Sequence, residues 1–257
     1  MLERTAAMSD RVTAAVLIVG DEILSGRTQD TNLNAIARYL AVQGVEVAEA
    51  RVVGDVAQDI VEALNALRRR WDYVITTGGI GPTHDDITAD CVAQAFGVTL
   101  YEHPEIMALL ASRHDGVVNA ARARMARIPE GGVLIANPVQ GPPGFAIDNV
   151  FVLAGVPSIM RGMLLDVGHR MRSGTVVLSR TVKVTGFGEG VIAAPLEAVA
   201  KAHPGMSLGS YPFFGPGGYG SNLVVRGRDE VELEAAVAEL IAALEEAGIT
   251  RVERVAT

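Results

Sequence analysis

The strongest constraint on this chain is an apolar run closed by glycine, TAAVLIVG at 13–20, which recurs as WDYVITTG at 71–78. Such a run is too short to span a bilayer and suits a strand buried on both faces. Two helical patterns and another strand lie between the two runs. TNLNAIARYLAVQG (31–44) puts Leu33, Ile36, Ala37 and Leu40 on one helical face and stops at Gly44. VEVAEARVVG (45–54) reads as a strand. DVAQDIVEALNALRRR (55–70) reads as a helix, with Asp55 a candidate N-cap and arginines at the end the macrodipole favours. DDITADCVAQAFG (85–97) is a further helix ended by glycine. This β-α-β-α-β-α rhythm calls for a parallel sheet covered by helices.

Residues 103–127 pattern as two helices, one opening near Pro104. GVLIANP (132–138) and FAIDNVFVLAG (145–155) read as strands, and PSIMRGMLLDVGHRM (157–171) as a helix with Pro157 in its first turn. After Met171 the rhythm changes. TVVLSRTVKVTG alternates with period two, a helix follows at 190–203, then strands MSLGSYPFF and SNLVVRGRD and a helix from Glu230 to Ala247. The expected architecture is α/β, a three-layer, mostly parallel sheet over 13–171, followed by a smaller βαββα domain of α+β type over 172–257. The residues before Thr13 read as a loose leader.

A hydrophobic content of 49% supports a well-buried core, and a net charge of −8 argues against a broad grip on nucleic acid. With a single cysteine, Cys91, the chain cannot form an internal disulfide, and an apolar helical setting marks this thiol as buried and inert. Arg4 and Arg11 ahead of the first apolar run resemble a signal sequence, yet DEILSG follows rather than a small-residue cleavage site. These features point to a cytoplasmic protein with no membrane partner.

In an open parallel sheet, ligands bind beyond the carboxyl ends of the strands. Three loops fall there. GDEILSGRTQDTN (20–32) brings Gly20, Asp21, Glu22 and Ser25 to a strand end, with Asp30 or Thr31 left to cap the next helix. TTGGIGPTHDDITAD (76–90) carries Gly78, Gly79 and Gly81, whose N–H groups beside a helix start favour a phosphate. The hydroxyls of Thr83 and Thr88 join this candidate ligand set. One of Asp85 and Asp86 is explained as a helix cap; two together repel phosphate unless a divalent cation bridges them to it, with Glu22 as a further ligand. NPVQGPPG (137–144) supplies Asn137, Gly141 and Gly144 as a third wall.

Other signals lead nowhere. GPGGYG (215–220) matches the dinucleotide fingerprint in letters, but a strand follows it, so it reads as a hairpin loop or flap. The only lysines are Lys183 and Lys201, so a P-loop lysine is absent. The histidines at 84, 103, 114, 169 and 203 lack zinc-ligand spacing, and His84 reads as a loop residue.

GDEILSG, DTN, TGGIGPTHDDIT, NPVQGPPG and LAGVP stand in the order and spacing of the molybdopterin-binding superfamily of MoaB, Mog and gephyrin domains. They resemble most closely the first domain of the competence/damage-inducible protein CinA, with the hydrolase domain that accompanies eukaryotic FAD synthase also similar. The resemblance covers about 13–171, and the tail resembles the small KH-like domain that follows in CinA. Where that family has LPGVPxEM this chain has LAGVPSIM, with Ala154 for the proline and Ile159 for the acid, so no role of that acid carries over. The amidohydrolase domain of full CinA has no counterpart. The resemblance implies a pocket for a phosphorylated pterin or an adenine dinucleotide, and a homo-oligomer, dimer or trimer. Two aspartates that serve metal-dependent chemistry in the MoaB and Mog group match Asp55 and Asp86, which implies catalytic roles for both. CinA-like relatives imply cleavage of a pyrophosphate such as ADP-ribose or FAD; the MoaB and Mog relatives imply adenylylation of molybdopterin; plain carriage of pterin or nucleotide is the reading without catalysis.

Overall fold

A computed structural model describes residues 11–113, 115–216 and 218–255. The leader expected before Thr13 therefore lies almost wholly outside the described residues, as does His114. The chain separates into two compact units, one ending at Thr175 and one starting at Val176.

The first unit begins with strand β1 (Val12–Val19), a four-residue helical turn α1 (Asp21–Leu24), helix α2 (Asn32–Val42) and β2 (Val45–Val53). Helix α3 (Ala57–Arg70), β3 (Tyr73–Thr77), α4 (Thr88–Phe96), β4 (Leu100–Glu102), α5 (Pro104–Ser112), α6 (Ala120–Arg124) and β5 (Arg127–Pro129) follow. The unit closes with β6 (Val133–Ile135), β7 (Gly144–Ile147), β8 (Val150–Leu153) and α7 (Pro157–Arg170).

One sheet runs in the order β2-β1-β3-β8-β7-β6. Strand β1 pairs in parallel with β2 and β3, and β3 with β8, while β7 and β6 join antiparallel. Period-two alternation along β1 makes the three layers. Ala15, Leu17 and Val19 pack with Ile60, Leu64 and Leu67 of α3 and Val92 of α4. Ala14, Val16 and Ile18 pack with Ile36 and Leu40 of α2 and Met160, Met163 and Val167 of α7. Each such side chain contributes roughly 1.5–3 kcal/mol by leaving water, so the helix layers are fixed on both faces.

The structure corrects three local expectations. The run 145–155 is not one strand. It folds back on itself as the β7–β8 hairpin, turning at Asp148, which adopts φ 51°, while Asn149 Nδ2 donates to the carbonyls of Arg68 and Trp71 at 2.9 and 3.2 Å. Asp55 does not cap α3, whose N-cap is Val56 with no side-chain bond. Neither Asp85 nor Asp86 caps α4, which opens at Ile87. At the start of α2 the N-cap position is Thr31, while the carboxylate of Asp30, one of the two expected caps, accepts from the N–H groups of Asn32 and Leu33, both at 3.1 Å. Glycine stops hold at Gly44 and Gly97, with φ 73° and 67°.

The second unit comprises β9 (Leu178–Thr185), α8 (Glu189–Ala202), β10 (Ser207–Gly215), β11 (Gly218–Gly227), α9 (Glu230–Glu246) and β12 (Val252–Val255). Its antiparallel sheet runs β10-β11-β9-β12. The βαββα expectation thus lacked β12, a short strand that pairs with β9. Of GPGGYG, Gly215 ends β10 and residues 218–220 open β11, and the two strands form an antiparallel hairpin. Val182, Val184, Leu223 and Val225 meet Leu233, Val237, Leu240 and Leu244 of α9 in a separate core. No described helix is long and apolar enough to cross a membrane.

Candidate functional site

Because β1, β3 and β8 are parallel, the segments leaving Val19, Thr77 and Leu153 emerge at one edge of the sheet. The antiparallel β7 starts at that same edge, which brings 137–144 there as well. Between these segments lies a cavity of about 500 Å³. Gly78, Gly79, Gly81 and Gly141 bring main chain to its surface, Glu22, Asp86 and Asn137 bring polar groups, and Ile80, Met125, Val156 and Ile159 make an apolar wall.

The glycines are there for close approach. A Cβ on Gly78, at φ 100°, would sit 2.1 Å from the carbonyl oxygen of Val19. One on Gly79, at φ 66°, would sit 2.2 Å from Thr88 Oγ1. Thr88 is fully buried; its hydroxyl donates to Gly78 O at 2.9 Å and its N–H to Gly79 O at 3.0 Å. It braces the glycine loop from behind rather than facing the cavity. Thr83 likewise serves a neighbour: its N–H and hydroxyl both donate to Asp86 Oδ2, at 2.8 and 2.5 Å. Arg124 of α6 reaches the carbonyl oxygens of His84 and Asp86 at 3.4 and 3.3 Å, pinning the loop from its other side. His84 is 98% exposed in its side chain, with Asp85 3.8 Å away.

At the β1 end, Gly20 donates to Val53 O at 3.0 Å. Asp21 N donates to Asp55 Oδ2 at 3.0 Å, and Asp55 N to Asp21 Oδ1 at 3.4 Å. Burial raises the Asp55 carboxyl above its ordinary value; the Asp21 N–H opposes this, and the charges of Asp21, Glu22 and Asp85 add to it. Ser25 ends α1, with its hydroxyl 3.4 Å from Glu22 O.

Of the residues singled out from sequence, the cavity gathers Glu22, Gly78, Gly79, Gly81, Asp86, Asn137 and Gly141. Gly20, Asp21, Ser25, Asp55, Thr83, Asp85, Thr88 and Gly144 do not line it. Asn137 shapes its own loop, donating to Gln140 O and Pro142 O at 2.7 and 3.0 Å. Gly144 is a packing glycine, since a Cβ there would meet Val152 O at 2.4 Å. Among the described residues no three His, Cys, Asp or Glu side chains converge as a metal site does. The apolar wall was not read from sequence. Ile159, which stands where the resembled family has an acid, belongs to it.

Residues 15–173 match a family profile described as "Probable molybdopterin binding domain". The chain belongs to that family. Residues 176–253 of this molybdopterin-binding-domain protein match a second profile, "FAD synthase, middle domain". A CinA-like protein of Gemmatimonas aurantiaca is 34% identical over 212 residues, covering 77% of this chain and 50% of the relative. A protein of Archaeoglobus fulgidus is 33% identical over 199 residues, covering 77% and 84%. The chain therefore spans about half the length of the CinA-like relative. A crystal structure of CinA from Thermoplasma acidophilum, described there as of unknown function, superposes with a TM-score of 0.60 at 33% identity. It covers 63% of this chain and 99% of its own.

Proposed function

We propose that the first unit binds a phosphorylated pterin or dinucleotide and hydrolyses a pyrophosphate of the ADP-ribose or FAD kind. The cavity carries this reading: it sets glycine main chain and two carboxylates beside an apolar wall, the combination a ring joined to a diphosphate requires. The likeness of 176–253 to a domain of FAD synthase supports a dinucleotide.

In this reading the backbone N–H groups from Gly78 to Gly81 hold phosphate oxygens. Ile80, Met125 and Ile159 pack on the ring and keep bulk water from the anhydride. Water attacks phosphorus, the bridging P–O bond breaks, and the leaving phosphate keeps the electron pair. Asp86 is steadied by Thr83 for its part at the phosphates. Asp55, outside the lining, fixes the acidic edge through its bonds with Asp21, and the attacking water's proton passes to solvent.

The hard oxygen donors Asp86 and Glu22 fit a divalent ion that completes its shell with ligand phosphates, the habit of Mg²⁺ rather than of an all-protein cage. These two residues would hold it, without Asp85, which lies outside the lining, and when bound it would supply charge neutralisation at phosphorus.

Two other readings have an observation each. The family match favours a molybdopterin ligand, and with it the adenylyl transfer that the resemblance to MoaB and Mog implies. The family description names binding and no reaction, which supports a module that binds without cutting. A screen of divalent metals against ADP-ribose, FAD, NAD and ATP, reading AMP release, separates them. Asp86→Ala abolishes AMP release with unchanged circular dichroism if the hydrolase reading holds; undiminished turnover in that variant overturns it. Product only from ATP plus pterin selects the transferase, and tight binding with no product under any metal selects the carrier.

A further inference from the structure

Behind Gly78 the wall of the cavity continues into a chamber of about 60 Å³, bounded by Glu22, Thr28, Asn32, Thr77 and Gly155 among others. Glu22, Gly78 and Gly155 face both spaces. Asn32 is 6% exposed and Thr77 1%. Asn32 Nδ2 donates to Gly155 O at 2.8 Å, and since a carbonyl oxygen only accepts, this bond fixes which way the amide points. Its Oδ1 and the Thr77 hydroxyl are then buried without a hydrogen-bond partner among the described residues. Native proteins seldom leave such atoms unpaired, because each loses its hydration and receives nothing in return.

Acceptors predominate in the unused capacity, although the Thr77 hydroxyl can also donate. Asn32 Oδ1 and the Glu22 carboxylate can only accept, and the Thr77 oxygen can accept too. The volume admits a small group or a few waters. A small, donor-bearing group is the complement. We propose that this chamber is a subsite for an exocyclic amino group of a heterocyclic ligand, held by Asn32 and Thr77 with Glu22 at the mouth. The inference rests on the ligand-binding reading of the larger cavity and narrows its ligands to amino-bearing rings. An oxo group in the same place sets its lone pairs against those of Asn32 Oδ1 and the Glu22 carboxylate, neither of which can donate, so the oxo counterpart of a ring is disfavoured.

Calorimetric titration of the full chain with AMP against IMP, and pterin against lumazine, tests this. Each pair differs at one amino group. The expected result is about tenfold or greater preference for the amino member of at least one pair, since one good hydrogen bond to a buried acceptor is worth that factor. Asn32→Leu, which removes the accept-only oxygen at similar volume, brings the ratio toward one. Equal affinities within both pairs overturn the inference and leave the chamber to ordered water, and so does a preference that Asn32→Leu does not change. The wild-type ratio is decisive even where the variant fails to fold. Binding of none of the four rings overturns the cavity reading itself, which separates the two failures.

Discussion

Asp21 and Asp55 each accept the other's backbone N–H, at 3.4 and 3.0 Å, and so tie the end of β1 to the end of β2 through two like charges. The burial of Asp55 and its acidic neighbours hold its carboxyl above the ordinary value. A raised folded pKa means the folded state binds the proton more tightly. Ionised Asp55 therefore opposes folding at neutrality, and that opposition is relieved as pH falls through the raised value and is gone below about 3.8, the ordinary one. Asp55→Asn keeps an oxygen for the Asp21 N–H and removes the charge. Its melting temperature should exceed that of the wild type near neutrality, with the difference shrinking on acidification. Thermal melts across the pH range check this; a difference that grows toward acid contradicts it.

Gly78→Ala should be among the most damaging small substitutions in the first unit. The added methyl meets the Val19 carbonyl at 2.1 Å and stands at φ 100°. Strain at such a backbone position alone costs about 1–3 kcal/mol, and the steric clash adds to it. Urea unfolding should show a loss of at least about 2 kcal/mol.

Cys91 should be silent in the native protein. It is 1% exposed, and burial first, then the charge of Asp90, pushes its thiol to about 11. A thiol reagent at mildly alkaline pH should leave it unmodified until denaturant is added, and then titrate one group per chain. Rapid native labelling would return the thiol to the list of reactive groups.

Thr83→Val tests how Asp86 is held. The substitution removes the 2.5 Å hydroxyl bond and spares the backbone one. Thr83 is exposed, so stability should change by only about 0.5–1 kcal/mol. AMP release, in contrast, should fall about tenfold, mainly in kcat, because a carboxylate left free to rotate loses its alignment. A change confined to KM would assign Thr83 to ligand binding instead.

Some of this was legible in the residues. Apolar runs ending in Gly20 and Gly78 marked the strands and the edge where ligands gather, because glycine and continuous burial are local signals. The β7–β8 turn was not legible, since Asp148 and Asn149 interrupt an apolar run without glycine, and only the fold shows that they reverse it. Asp55 carried the local signature of a helix cap; its bond to Asp21 depends on two strands far apart in sequence being neighbours. Ile80, Met125 and Ile159 came from three separate segments, and each alone looks like ordinary core. Asn32 sat inside a quoted motif, but its unpaired oxygen could be seen only once its amide was fixed against Gly155.

The Asp148 turn lies at the sheet edge opposite the cavity, yet it governs the cavity's third wall. In a run of parallel strands, a loop that enters a strand belongs to the far edge, where it could never meet the glycine loop. One reversal converts the entry loop 137–144 into a neighbour of the exits from β3 and β8. Sequence changes at Asp148 and Asn149 would therefore act as remote edits of ligand fit. An inserted residue that slipped β7 by one place would exchange the faces of Phe145 and Ala146 and carry Gly141 out of line, without touching any group that meets the ligand.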